Sequence, residues 1–166
     1  MRPTAFLLPV ILMGAPLSAQ QQPAPCSTPE YRQFDFWAGS WNVFNPKGQQ
    51  VGTNTIEPIL GGCALQESWV GTGTSRGFSY NMYDRTTGRW HQTWVGGGGT
   101  LLLLDGGLVE GNMVLSGTTL NAQGATVQNR ITWTPVAADS VRQLWETSAD
   151  EGKTWSVAFD GTYVRR

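Results

Sequence analysis

The sequence predicts an all-β chain, folded as an antiparallel up-and-down β-barrel of about nine or ten strands. Two observations lead there. Runs of five to ten residues rich in aromatic and β-branched side chains recur along the chain, while no helical period lasts beyond a turn or two. Between the runs stand clusters of Gly, Asn, Asp, Ser and Thr at near-regular spacing, and the 21 glycines suit the tight turns and bends that closure of a barrel needs.

Taken in order, the chain opens on Arg2, the apolar run "AFLLPVILMGAPL" and Ser18-Ala19, then turns polar. That is the basic n-region, short h-region and small-residue cleavage site of a secretory signal, residues 1–19, with removal expected after Ala19. The run is too short, and too broken by Pro9 and Pro16, to span a bilayer. The mature chain is therefore expected to be exported, periplasmic or secreted, with no transmembrane segment after signal removal. Residues 20–33 read as an N-terminal arm and residues 34–166 as one barrel domain. Cys26 and Cys63 are the two cysteines, and an oxidising compartment favours joining them. Such a bridge stabilises the fold by up to about 4 kcal/mol in the chain-entropy model, pins the arm, and leaves neither sulfur for catalysis or metal.

The strand runs follow: "WNVF", "ALQESWV", "GFSYNMY", "RWHQTWV", "TLLLL", "NMVLSG", "NRITWTP", "VRQLWETS" and "TWSVAFDGTYV". The connections are "NPKGQQ", "GTGTSRG", "DRTTG", "GGGG", "DGG", "NAQG", "AAD" and "ADEGK". A meander of this length removes its exposed edges most simply by closing on itself. Charged residues make up only 14% and the formal net charge is -1, so no basic field exists to attract nucleic acid.

Two motifs imitate active sites. "SADEGKTW", residues 148–155, fits the Asp-box pattern S-x-D-x-G-x-T-W, but it occurs once, between two strand runs, where a propeller would repeat it blade by blade. It reads as a hairpin turn in which Ser148 and Asp150 bond the backbone and Gly152 supplies a positive φ. "GTSRG", residues 73–77, matches the G-x-S-x-G of hydrolases, yet a strand follows where their nucleophile needs a helix. His91 is the chain's single histidine and has no Cys or His partners for a metal site, so no metal or cofactor is expected. It alternates with Trp90, Gln92 and Trp94, so it faces solvent if they face inward.

Strand alternation places Glu67 with Trp69, Asn81 with Tyr83, Gln92 with Trp90 and Trp94, and Gln143 with Trp145. Arg142 falls on the face opposite Gln143. Burying an unpartnered polar group costs about 1 to 3 kcal/mol, so either these faces look outward or the interior is partly polar. A polar, aromatic-lined interior has the composition of a ligand cavity. A satisfied network that only braces the barrel has it too.

The motif "FDFWAGSWNVF", together with "GTNTI", "GGC", "YNMYD", "WHQTWV", "RITWTP", "VRQLWETSADEGKTW" and "FDGTYVRR", resembles a bacterial family of exported domains that opens on F-D-F-W-x-G-x-W. That family is in turn similar to the calycins, the barrels of lipocalins, fatty-acid-binding proteins and nitrobindins. The resemblance implies that Gly39-Ser40-Trp41 begins the first strand, with Trp41 closing the barrel floor and Arg165 or Arg166 near its ring. Nitrobindin-like members hold haem through a histidine near the C-terminus, and no histidine follows His91 here. The expected function is the binding of a small, partly apolar molecule, with Glu67, Trp69, Asn81, Tyr83, Gln92, Trp94, Arg142, Gln143 and Trp145 as candidate contacts. The alternatives are an enzyme on the same barrel using Glu67 or His91 as acid or base, and an envelope interaction module with exposed tryptophans.

Overall fold

The computed structural model describes residues 24–166; the expected signal, residues 1–19, lies outside them. Ten strands run in chain order around one closed antiparallel barrel: β1 Gly39–Phe44, β2 Gln50–Ile59, β3 Ala64–Gly71, β4 Arg76–Asp84, β5 Arg89–Gly96, β6 Leu101–Val109, β7 Asn112–Leu120, β8 Thr126–Ala137, β9 Ser140–Ser148 and β10 Ser156–Arg165. Each strand pairs with its sequence neighbours, and β1 closes the wall against β10 in a register that sets Trp41 opposite Arg165. The architecture is the expected up-and-down barrel, consistent with a calycin-like one.

One strand, β2, is missing from the runs read in the sequence. Its residues, "QVGTNTIEPI", carry Gly52, Asn54 and Pro58, which are all poor strand formers. Their positions explain them. Gly52 and Asn54 face the interior, where one meets the ring of Trp69 and the other a carboxylate, and Pro58 is exposed near the end of the strand.

The end of the barrel where β1 begins is sealed. Two single 3-10 turns, Pro29–Arg32 and Asp35–Trp37, carry the arm across it, the first with proline at its start, where the missing N–H costs nothing. Phe34 and Trp37 are thereby fully buried; Phe34 stacks on Trp37 at 4.9 Å and meets Trp90 and Trp133 edge-on at 5.6 and 5.2 Å. Burying a side chain of Phe size stabilises the fold by about 1.5 to 3 kcal/mol. Trp41 donates its indole N–H to the Trp37 carbonyl at 2.9 Å, and the Arg165 guanidinium caps its ring at 4.4 Å. Gly39, at φ 137°, makes room for that guanidinium, since a Cβ there would collide with it. The expected disulfide is present: Cys26 and Cys63 join the arm to the turn Leu60–Gly62 after β2, where Arg32 also donates to the Gly62 carbonyl.

The opposite end is rimmed by five hairpin connections. One is the Asp box, which is a turn, as its sequence predicts. Asp150 accepts from the Thr154 N–H at 2.9 Å and hydroxyl at 2.6 Å, bonds that hold its carboxyl down at about 2, and Ser148 Oγ accepts from the Gly152 N–H at 2.8 Å. Arg130 lies over the Trp155 ring at 4.1 Å. Along the wall, β6 pairs with β5 from Leu101 to Gly106 but with β7 only from Asp105 to Val109. Above Asp105 the β6–β7 seam parts.

Candidate functional site

Alternation turns the side chains of Glu67, Trp69, Gln92, Trp94, Gln143 and Trp145 into the barrel, where they line a cavity of about 380 Å3 open toward the rim. Val51, Ser75, Leu102, Ile131, Ala158, Phe159 and Tyr163 complete its wall. Beside it, the parted seam holds a crevice of about 580 Å3 that shares Leu102 and Trp145 with the cavity.

The aromatic part of the wall is built on glycines. A Cβ on Gly52 of β2 would come 2.5 Å from the Trp69 ring, and one on Gly161 of β10 would come 2.6 Å from the Phe159 ring. On Gly77 of β4 it would overlap the Trp94 ring outright. Each ring therefore lies against bare backbone, in the way that aromatic side chains cover strand glycines. Trp69 and Phe159 meet edge-on at 6.0 Å. The indole N–H groups of Trp69 and Trp145 are occupied within the rim, by Ser75 Oγ at 3.1 Å and Asn129 Oδ1 at 3.0 Å.

Beneath the rings runs a chain of polar side chains that crosses five strands and β9. Gln92 on β5 donates to Asn81 Oδ1 at 2.8 Å; Asn81 on β4 donates to Ser79 Oγ at 2.8 Å; Ser79 donates to Glu67 Oε2 at 2.6 Å. From the other side Asn54 on β2 donates to Glu67 Oε1 at 2.6 Å and reaches the Tyr163 hydroxyl at 3.3 Å, and Tyr163 on β10 donates to Gln143 on β9. Glu67 is only 4% exposed, and burial raises its carboxyl from the ordinary 4.5 to about 7, against the two bonds from Ser79 and Asn54. Burial, and then the negative charge of Glu67, push the Tyr163 phenol well above its ordinary value, so it stays neutral.

Three candidates lie elsewhere. Asn81 is fully buried behind Ser79 and supports the carboxylate without lining the cavity. Tyr83 shares its face but sits lower, at the sealed end, edge-on to Tyr31 of the arm at 5.3 Å. Arg142 points outward and holds Asp160 on β10 with a two-pronged ion pair, at 2.7 and 2.9 Å, so it does not touch Glu67. His91 is also outside the lumen, between Asp105 at 2.9 Å and Thr93 at 2.8 Å. Ser75 of the G-x-S-x-G match accepts from Trp69, and among the described residues its hydroxyl bonds no His, Asp or Glu.

Asn54, Ser79 and Tyr163 are not among the candidates the sequence offers. Ser79 was within reach, being two residues from Asn81 on the same strand face. Asn54 falls in the strand that composition conceals, and Tyr163 reads as an ordinary strand aromatic. Among the described residues no three His, Cys, Asp or Glu side chains gather to hold a metal ion, and no helix is long and apolar enough to cross a membrane. In comparisons with known proteins, no family model matches the chain and no curated protein matches it.

Proposed function

We propose that this protein is an exported barrel that binds a small, partly apolar molecule in its lumen. The observation that carries the proposal is the cavity itself: about 380 Å3, walled by Trp69, Trp94, Trp145 and Phe159 and floored by converging polar groups of Glu67, Gln92 and Gln143. Ligand sites have this composition, with apolar area for affinity and a few fixed polar atoms for orientation. A core built only for stability fills its lumen, as the other end of this barrel does. The Cys26–Cys63 bridge supports the exported setting, because disulfides persist in oxidising compartments. The resemblance to calycins points the same way. An interaction module with exposed tryptophans fits less well, since the rings of the shared strand faces turn inward.

The test is native mass spectrometry on protein purified from its own host. A retained small molecule is expected, and Trp94→Ala or Gln92→Ala should abolish its retention while leaving the barrel folded. An empty wild-type protein whose melting temperature no candidate molecule raises would overturn the proposal.

A second function has one observation in its favour. A carboxyl held near neutrality inside a cavity is suited to exchange protons with a bound molecule, so Glu67 could serve as the acid or base of an enzyme. A guest chemically converted by the wild type and left intact by Glu67→Gln would establish it. A guest returned unchanged would leave binding alone.

A further inference from the structure

We propose that the lumen takes a primary alkylammonium ion, its nitrogen seated against the Glu67 carboxylate and its hydrocarbon part against the rings of Trp69, Trp94 and Phe159. This deepens the binding function proposed above and rests on it.

The first argument is directional. Every donor in the polar chain on the β5 side points one way, from Gln92 through Asn81 and Ser79 to Glu67, and Asn54 adds a donor from β2. Such an arrangement favours the anionic form of Glu67 by hydrogen bonds without supplying a positive charge. Among the described residues no Lys, Arg or His lines the cavity, and the cation of the sequence candidates, Arg142, is engaged outside with Asp160. A buried carboxylate without a cation is costly, and a guest cation offsets part of that cost.

The second argument is the balance of donors and acceptors. Gln92 spends its amide nitrogen on Asn81 and Ser79, and its carbonyl oxygen accepts no hydrogen bond among the described residues. Asn54 Oδ1 is buried with no partner either. Of these, Gln92 lines the cavity beside Glu67, so an ammonium with three N–H donors finds a carboxylate and a free amide carbonyl there, while the Gln143 amide, whose oxygen accepts from Tyr163, leaves its own N–H groups to the guest's polar or aromatic part. A carboxylate or phosphate would meet the Glu67 anion, and a plain hydrocarbon would give it no countercharge.

The third argument is the wall. The rings of Trp69, Trp94 and Phe159 lie against Gly52, Gly77 and Gly161 and line the lumen. Aromatic faces attract a cation and the polarised C–H groups next to it, more strongly once water is excluded. Trp69 stands two residues from Glu67 on β3, and Ser79, which donates to Glu67, pairs directly with Trp94. The rings therefore begin where the charge would sit.

The pH dependence follows. The groups facing Glu67 are Asn54 from β2, Ser79 from β4 and Tyr163 from β10, and of these only the phenol titrates, far above neutrality. With its carboxyl raised to about 7, Glu67 is partly protonated at neutral pH, so a bound cation drives a proton off and binding tightens as pH rises.

The experiment is calorimetric titration of the disulfide-bonded protein with three probes of similar shape: 2-phenylethylammonium, 2-phenylethanol and phenylacetate. Hydrogen bonds to charged groups contribute about 1.5 to 3 kcal/mol, so the ammonium should bind roughly tenfold or more tightly than the alcohol, and phenylacetate weakest of all. The preference should grow from about pH 6 to about pH 8, with a proton released on binding, and vanish in Glu67→Gln. Because Glu67→Gln also alters the bonds from Ser79 and Asn54, the wild-type pH series stands as a test on its own. If the alcohol or phenylacetate binds as tightly as the ammonium, the ligand class is wrong and the binding cavity survives. If none of the three binds, and none shifts the melting temperature, the ligand class falls, and retention of a host molecule then decides the cavity separately.

Discussion

The two ends of this barrel are lined with the same residue type and use it in opposite ways. At the sealed end Trp37, Trp41, Trp90 and Trp133 are no more than 2% exposed, and other aromatic rings, the arm or Arg165 cover them. There packing outweighs hydrogen bonding: the indole N–H groups of Trp37 and Trp133 are buried without partners. At the open end Trp69, Trp94 and Trp145 are only partly buried, and Trp69 and Trp94 rest on glycine rather than on another side chain. A ring covered on both faces belongs to the structure, whereas a ring covered on one face is held ready for something else. Between the two lies the polar chain through Glu67, which is braced like a core but faces a space like a site.

The largest effect that would break this contrast is a mutation at the sealed end. Trp41→Ala should lower unfolding free energy by about 3 to 5 kcal/mol, as full truncation of a buried aromatic does, while Trp94→Ala should cost about 1 to 2 kcal/mol because one face of its ring is already open. Denaturant midpoints for the pair measure it; equal losses would make the two ends alike.

The middle layer gives the next largest. Between the ordinary carboxyl value of 4.5 and the raised value of about 7, the folded chain holds a proton on Glu67 that the unfolded chain has released. Stability should therefore fall as pH rises through that window, by up to about 3 kcal/mol, and level off above it. Melting curves across this range should show the slope in the wild type and a flatter profile in Glu67→Gln.

The smallest effect lies outside the wall. The Arg142–Asp160 pair is solvent-exposed on the arginine side, and such pairs contribute about 0 to 1 kcal/mol, so Arg142→Ala should shift the midpoint slightly and leave ligand binding untouched. A lost ligand in that variant would place Arg142 in the site after all.

Much of this arrangement is legible in the sequence, and part of it is not. Period-two alternation assigns a side chain to a face, and that was enough to collect Glu67, Gln92, Gln143 and their tryptophans from strands far apart in the chain. It does not assign height along the barrel. Tyr83 and Asn81 share a face, yet one lies in the seal and the other in the polar layer. Nor does composition reveal a strand whose residues answer to their neighbours: β2 looks like a loop because Gly52 yields to Trp69 and Asn54 serves Glu67. The partners of a buried charge are the hardest to foresee, since a lone Ser or Asn carries no signal until the carboxylate beside it is known.

The pairing of β1 with β10 joins the two ends of the chain. Hairpins of the meander are local and can form early, but the wall is complete only when its first and last strands meet. Loop-closure entropy is largest for that one long-range step. Until it happens, both end strands are open edges able to pair with another chain. Tyr163, on β10, cannot hold Gln143 in line with Asn54, and Trp41 waits for Arg165. Seal and cavity thus both depend on the one pairing of the first strand with the last.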